Sequence, residues 1–313
     1  MARIVFMGTP DFAVATLRAL VGAHTVVGVV TQPDRPAGRG RQLDRSPVKQ
    51  FAAHSGLPVI QPQRLREPDA LAQLQAWAPE LIVVAAFGQI LRPAVLDLPP
   101  YGCLNVHGSL LPRHRGAAPI AAAILAGDAQ TGITIMRMDP GLDTGPMLAS
   151  RALNIQADDT TGTLTERLAP LGASLLLEVI PAYLGGRLAP VPQDESLATY
   201  APQLKKEDGQ LDFTRPATEL ERRVRALLPW PGAFANWPDP AAGAPRPLKV
   251  LRAAVLDQRT PDAGMVLQTP QGPAVGAGSG SLLLLEVQPP GKRPMPAADF
   301  ARGARGFIGS HLA

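Results

Sequence analysis

The chain opens on a short apolar run, Arg3–Met7, that stops at Gly8. A run of this length, rich in Ile, Val and Phe, predicts a buried strand. Thr9 then reads as an N-cap, Pro10 as the first helical position and Asp11 as a first-turn acid, with a helix to about Leu20. Thr25–Thr31 (TVVGVVT) reads as a second buried strand and Pro58–Gln61 as a short third. Pro68–Trp77 reads as a helix, Leu81–Phe87 (LIVVAAF) as a fourth strand and Cys103–His107 (CLNVH) as a fifth. Strands alternating with helices predict an α/β domain, with a mostly parallel sheet and helices on both faces.

Farther along, Gly132–Met138 and Met147–Ile155 read as strands flanking a Gly-rich turn, and Leu164–Leu184 as a long helix stopped by Gly185-Gly186. The first domain is placed at 1–186. Residues 187–205 contain Pro and show weak periodicity, which suggests a linker. In the remaining 206–313, Ala217–Leu228 is an amphipathic helix. From Leu248 the pattern turns to short strands, LKVLRAAV, GMVLQT, PAVGAG and LLLLEVQ, separated by turn residues. These predict a small β-barrel or sheet.

Composition narrows the class. The 313 residues suffice for two domains, and 46% hydrophobic against 18% charged residues fits a globular chain. The net charge is +4. Residues 206–313 carry 13 Lys and Arg against 10 Asp and Glu, so the second domain permits nucleic acid without demanding it. The single cysteine, Cys103, excludes an intramolecular disulfide and a Cys-ligated metal cluster, and favours a reducing compartment. The N-terminal stretch lacks the apolar core of a signal peptide. No apolar run looks close to the ~20 residues of a membrane helix. The expectation is a cytoplasmic protein with no membrane partner.

The densest chemistry lies in Asn105-Val106-His107-Gly108-Ser109-Leu110-Leu111-Pro112. Alternate residues of a strand share a face, so Asn105 and His107 point the same way at the carboxyl end of a parallel strand, where open α/β sheets bind ligands. Taken alone, the two read equally well as structural hydrogen-bonding groups. Asp143, between Gly141 and Gly145, reads alone as a turn-former. Together they form a set suited to acyl transfer: an amide donor for an oxyanion, an imidazole for a proton, and a carboxylate to orient it. Cys103 shares the strand's face by parity but is a poor nucleophile candidate.

With GTPDFA (Gly8–Ala13), TQPDRPAGRG (Thr31–Gly40), NVHGSLLPRHRGAAPI (Asn105–Ile120) and GLDTGPM (Gly141–Met147), the chain resembles the methionyl-tRNA formyltransferases. LKKEDGQLDF (Leu204–Phe213), RALLPWPGAF (Arg225–Phe234) and PPGKRPM (Pro289–Met295) extend the resemblance over nearly its whole length. The resemblance implies a Rossmann-like N-terminal domain and a C-terminal barrel resembling an OB-fold. It implies 10-formyltetrahydrofolate as donor, initiator methionyl-tRNA as acceptor, no metal, and a monomer. Asn105, His107 and Asp143 become the catalytic set. Ser109, Leu110, Leu111 and Pro112 line the folate site, with the Phe87-Gly88-Gln89-Ile90 loop close to the pterin. The amine attacks the formyl carbon directly. Asn105 and protonated His107 hold the oxyanion, and Asp143 supports the imidazole's charge.

For RNA, the Arg-rich loop at 32–49 offers Arg35, Arg39, Arg41 and Arg45, with Arg39 the first choice. Lys206, Lys249, Lys292 and Arg293 then follow the phosphates, joined by Arg252, Arg302 and Arg305. Each alone also reads as a solvated charge. His114 stands where the family often carries an aromatic residue, and Pro146 where an acidic one is expected. The Trp230 and Trp237 region reads as domain packing. A G-x-G-x-x-G fingerprint and metal-ligand spacing are both missing. Related readings are a formyltransferase of another amine, a hydrolase releasing formate, and an RNA-binding protein without catalysis.

Overall fold

The computed structural model describes residues 1–37, 42–240, 243–257 and 262–313. Contacts divide the chain into two units. The first comprises Met1–Pro119, Gln130–Asn154 and Thr165–Pro202; the second comprises Ile120–Ala129, Ile155–Leu164 and Gln203–Ala313. The domain end drawn at 186 and the linker drawn at 187–205 therefore differ from the contacts. Residues up to Pro202 pack within the first unit, and two earlier segments belong to the second.

The first unit is built on seven strands: β1 (Arg3–Gly8), β2 (Thr25–Val30), β3 (Val59–Ile60), β4 (Leu81–Ala85), β5 (Cys103–His107), β6 (Gln130–Arg137) and β7 (Met147–Asn154). Their order is β7-β6-β5-β4-β1-β2-β3. The β1, β2, β3, β4 and β5 pairings are parallel, while β6 runs antiparallel to β5 and β7 antiparallel to β6. Strand order reverses direction between β1 and β4, and in open α/β sheets ligands bind beyond the carboxyl ends at such a switch point. All five residues of β4 and of β5 are buried, as expected for strands covered on both faces.

Two details at that edge depart from the sequence reading. Thr9 does not cap the first helix, Asp11–Ala23; Pro10 occupies the cap position, and the Thr9 hydroxyl donates to the Phe87 carbonyl over 3.3 Å. The fourth strand stops at Ala85 because Ala86 takes φ +45°, which turns the chain out of the sheet.

The long helix begins earlier than expected, spanning Thr161–Leu184. By length and composition it is the one described helix apolar enough to cross a membrane, which corrects the reading that no run approaches that length. Leu168, Leu175, Leu176, Val179 and Ile180 are buried. Gly172 lies so close to Val106 of β5 that an added Cβ would stand 2.8 Å from its Cγ1. Glu178 pairs with Arg151 of β7 at 2.7 Å.

The second unit holds an antiparallel sheet in the order Ala233–Trp237, Arg246–Leu256, Ser281–Gln288, Gly272–Gly276, Val266–Thr269. The C-terminal tail joins its two edges. Ala313 exchanges backbone hydrogen bonds with Asn236, while Gly309 and Ser310 bond to Val266. This gives the antiparallel sheet a barrel-like closure. Trp237, Phe300 and Phe307 meet edge to face in its core, with ring centroids 4.9–5.7 Å apart. Trp230 is 56% exposed, so packing accounts for Trp237 and not for Trp230.

Candidate active site

Residues from three separated stretches meet at the carboxyl end of β5. Alternation along the strand puts Asn105 and His107 on one face, and both are buried. The 139–145 turn carries Asp143 to them. Its Asp139 Oδ1 accepts from the Gly141 amide at 3.1 Å and the Thr144 hydroxyl at 2.7 Å, a local closure that starts the turn. Asp143 itself adopts φ +52°, a left-handed conformation that Asp tolerates better than most residues.

The Asp143 carboxylate is held on both oxygens. Oδ1 accepts from Asn105 Nδ2 at 3.3 Å, and Oδ2 accepts from the Gly116 amide at 2.8 Å. His107 Nδ1 stands 3.6 Å from Oδ2. The other ring nitrogen, Nε2, lies 3.0 Å from the His114 carbonyl. A carbonyl only accepts, so Nε2 carries a proton and donates it. Of the two donors expected at an oxyanion, His107 Nε2 is thus engaged with backbone here, while Asn105 uses one N–H on Asp143 and has a second to offer.

The residues expected at the folate divide into two groups. Ser109 is fully buried, and its hydroxyl donates to the Arg113 carbonyl at 2.6 Å. Thr134 of β6 ties the same loop, donating to the Ser109 carbonyl and accepting from the Leu111 amide. Leu111 is buried, while Leu110 and Pro112 are half-buried. In the second loop Phe87 is buried in the core. Gln89 is spent on the 62–65 backbone, accepting from the Leu65 amide and donating to the Pro62 carbonyl. Gly88 is exposed and Ile90 is 81% exposed.

Sequence reasoning missed the support behind Asp143. Arg115 has no exposed surface, and its guanidinium grips Glu195 and Gln193. The Glu195 carboxyl holds the Arg115 guanidinium charged more firmly than usual, and Arg115 holds the Glu195 carboxyl below its ordinary range. Gln193 donates to the Asp143 and Gly145 carbonyls. The only signal was a polar stretch, Gln193–Thr199, inside what reads as a linker.

Cys103 is buried, with its thiol directed at the Val95 and Leu96 carbonyls. Burial, helped by the negative charge of Asp97, pushes it up to about 12.

For RNA, Arg39 and Arg41 lie outside the described residues, as does the Arg35 side chain. Arg45 is exposed. Lys49 belongs to a helix, Pro47–His54, and pairs with Asp34 at 2.5 Å. In the second unit Lys206, Lys249, Lys292 and Arg293 are all exposed. Register brings them to one end. Lys249 pairs across the sheet with Gln288, whose side chain donates to the Lys292 carbonyl. Lys249 also pairs with Phe234, against which the Lys206–Gly209 turn packs through Gly209. Arg252 opposes Glu286 in the ladder and Arg302 pairs with Asp299, so these two are less available.

A formyl transferase model matches residues 2–180, and a formyl transferase C-terminal domain model matches residues 203–305. The chain is 51% identical to a methionyl-tRNA formyltransferase of Roseiflexus sp. (strain RS-1), across 99% of this chain and 95% of the relative. It is 51% identical to that of Methylococcus capsulatus (strain ATCC 33009 / NCIMB 11132 / Bath), across 99% of each. Among solved structures, the sugar 3N-formyl transferase WlaRD, crystallised with dTDP and 5-N-formyl-THF, matches with a TM-score of 0.65. It covers 94% of this chain and 99% of its own at 16% identity, a likeness of fold.

Proposed function

The chain belongs to the methionyl-tRNA formyltransferase family, and from that premise we propose how its own residues perform the transfer. The enzyme moves the formyl group of 10-formyltetrahydrofolate to the α-amine of methionyl initiator tRNA, in support of translation initiation. It acts as a cytoplasmic monomer.

The observation that carries the reading is the meeting of Asn105, His107 and Asp143 at the carboxyl end of β5. The donor fits this edge. Asn105 has an N–H to spare for the formyl oxygen, and Ile90 and Leu142 offer exposed apolar surface for a flat ring. The amine nitrogen forms a bond to the formyl carbon, and negative charge gathers on the formyl oxygen. Asn105 Nδ2 donates to that oxygen, where the charge grows and the bond counts most. Asp143 accepts the proton that the amine loses. The carbon–nitrogen bond to the folate then breaks, and the folate nitrogen leaves with a proton relayed from Asp143. His107 stands beside this exchange, with Nε2 3.0 Å from the His114 carbonyl and Nδ1 3.6 Å from Asp143 Oδ2. A second proton on this ring would set a positive charge beside Asp143 and favour the oxyanion.

In the second unit, Lys206, Lys249, Lys292 and Arg293 track phosphates, and the loop with Arg35, Arg39, Arg41 and Arg45 approaches the acceptor end of the tRNA. The register that groups the first four supports this reading.

The test is a transfer assay with 10-formyltetrahydrofolate and methionyl initiator tRNA beside charged elongator tRNA. Formylation of the initiator alone is expected. Formate release without an acceptor, or transfer only to small amines, would overturn the reading.

A further inference from the structure

The stretch that reads as a linker is tied to the supports of His107 and Asp143. Thr199 Oγ1 accepts from the His114 amide at 2.8 Å, and the His114 carbonyl in turn fixes His107. Tyr200–Ala201 pairs in parallel with Arg115–Gly116, and the Gly116 amide holds Asp143 Oδ2. The densest contacts converge on Gln193.

Arg115 explains why Gln193 has a single orientation. A guanidinium with no exposed surface needs acceptors around its whole edge. Glu195 supplies two, at 2.8 Å each, and Gln193 Oε1 supplies the third, at 2.9 Å from Nη2 and 3.0 Å from Nε. The amide oxygen of Gln193 is therefore committed to Arg115. Its NH2 group must point the other way, where it meets two carbonyls: Asp143 O at 2.8 Å and Gly145 O at 2.7 Å. Those carbonyls bracket Thr144, in the turn where Asp143 holds its left-handed φ of +52°.

We propose that Gln193, locked by Arg115 and Glu195, is a positioning residue that fixes the 143–145 turn so that the Asp143 carboxylate meets Asn105, Gly116 and His107. The proposal rests on Asp143 as the carboxylate of formyl transfer. Gln193 touches no substrate; it acts by pinning backbone. A turn released by a fraction of an ångström weakens transition-state contacts more than substrate binding.

The isosteric Gln193→Glu separates this role from simple packing. It keeps an acceptor for Arg115, yet it replaces the two donated hydrogen bonds with oxygen facing oxygen. On the full chain, with 10-formyltetrahydrofolate and methionyl initiator tRNA, Gln193→Glu and Gln193→Ala should each lower kcat about 10- to 100-fold, with both KM values within about threefold. In an Asp143→Asn background, where the carboxylate is already lost, adding Gln193→Glu should cost less than about twofold more. Thermal unfolding run alongside confirms that the variants are folded. A wild-type kcat in Gln193→Glu overturns the proposal. So does a loss that multiplies in full on top of Asp143→Asn. An Asp143→Asn enzyme with wild-type kcat would sink the site reading first, and this inference with it.

Discussion

Asn105 Nδ2 donates to Asp143 Oδ1 across 3.3 Å, joining residues 38 apart in the chain. That bond ties the end of β5 to the 139–145 turn and orients the amide, so its second N–H has a fixed direction. Asn105→Asp keeps the shape but sets a second carboxylate against Asp143. The expected outcome is a fall in kcat of about 10²–10³ or more, the usual effect of a lost oxyanion donor. Steady-state kinetics at saturating substrates checks it; activity within a few-fold of wild type would remove Asn105 from the mechanism.

Gly116 combines two constraints. Its φ is +115°, and an added Cβ would stand 2.6 Å from the Ala201 carbonyl. Its amide also holds Asp143 Oδ2. Gly116→Ala should therefore destabilise the protein by about 1–3 kcal/mol through backbone strain and displacement and lower kcat as well. Gly186→Ala serves as a control: its φ is +68°, but an added Cβ meets nothing within 4 Å. Urea unfolding should show a loss in both variants, and kinetics a loss only in the first.

Much of this was legible in the sequence, for physical reasons. The alternation of Asn105 and His107 follows from strand geometry, and the buried character of LIVVA in β4 marks a sheet covered on both faces. The carboxylate between Gly141 and Gly145 marks a turn. What was hidden depends on contacts distant in sequence. Gln193 and Glu195 sit in a stretch without hydrophobic period, because they are anchored by hydrogen bonds to Arg115 and not by an apolar face. Thr9 reads as a cap because its type and place are right, but the Phe87 carbonyl claims its hydroxyl. Phe87 and Gln89 stand in the loop expected at the pterin, yet their side chains hold the fold together.

Cys103 lies on β5 only two residues before Asn105, and its state is testable. Its thiol is pushed up to about 12, chiefly by burial, so thiolate is negligible near neutrality. In the folded enzyme at pH 8, an aromatic disulfide reagent should leave Cys103 unmodified, and one equivalent should react in guanidinium. Cys103→Ala should retain kcat within about twofold, since the site keeps its donors and carboxylate. Rapid native labelling with loss of activity would return Cys103 to the mechanism.

Glu195 gives a pH dependence of defined sign. Its carboxyl is held below its ordinary 4.5, first by its hydrogen bond to Arg115. A folded-state value below the unfolded one contributes stability that is present above the unfolded value and lost as pH falls through the folded one. Arg115 remains charged throughout, so acid leaves a buried guanidinium with Gln193 as its remaining strong acceptor. Glu195→Gln should melt below wild type at pH 7, and the gap should close as pH falls below about 4.5. The side chain of Glu195 is 70% exposed, so the gap is small and shrinks with salt. A gap that persists unchanged at pH 3 would detach the effect from this ion pair.

The basic end of the second unit predicts how binding responds to salt. Lys249 opposes Gln288, and the Gln288 side chain donates to the carbonyl of Lys292, which links these charges through the sheet. Phosphate contacts release condensed counterions, which makes log affinity fall linearly with log salt. Lys249→Ala and Lys292→Ala should each weaken initiator tRNA binding and reduce the magnitude of that slope by about one. Turnover at saturating tRNA should stay within about twofold, because neither side chain belongs to the Asn105–His107–Asp143 site. The check is a titration of tRNA between about 50 and 200 mM salt. A wild-type affinity that does not change with salt would show that this face meets no phosphate, and an unaltered slope in both variants would move the contact to the Arg-rich loop of the first unit.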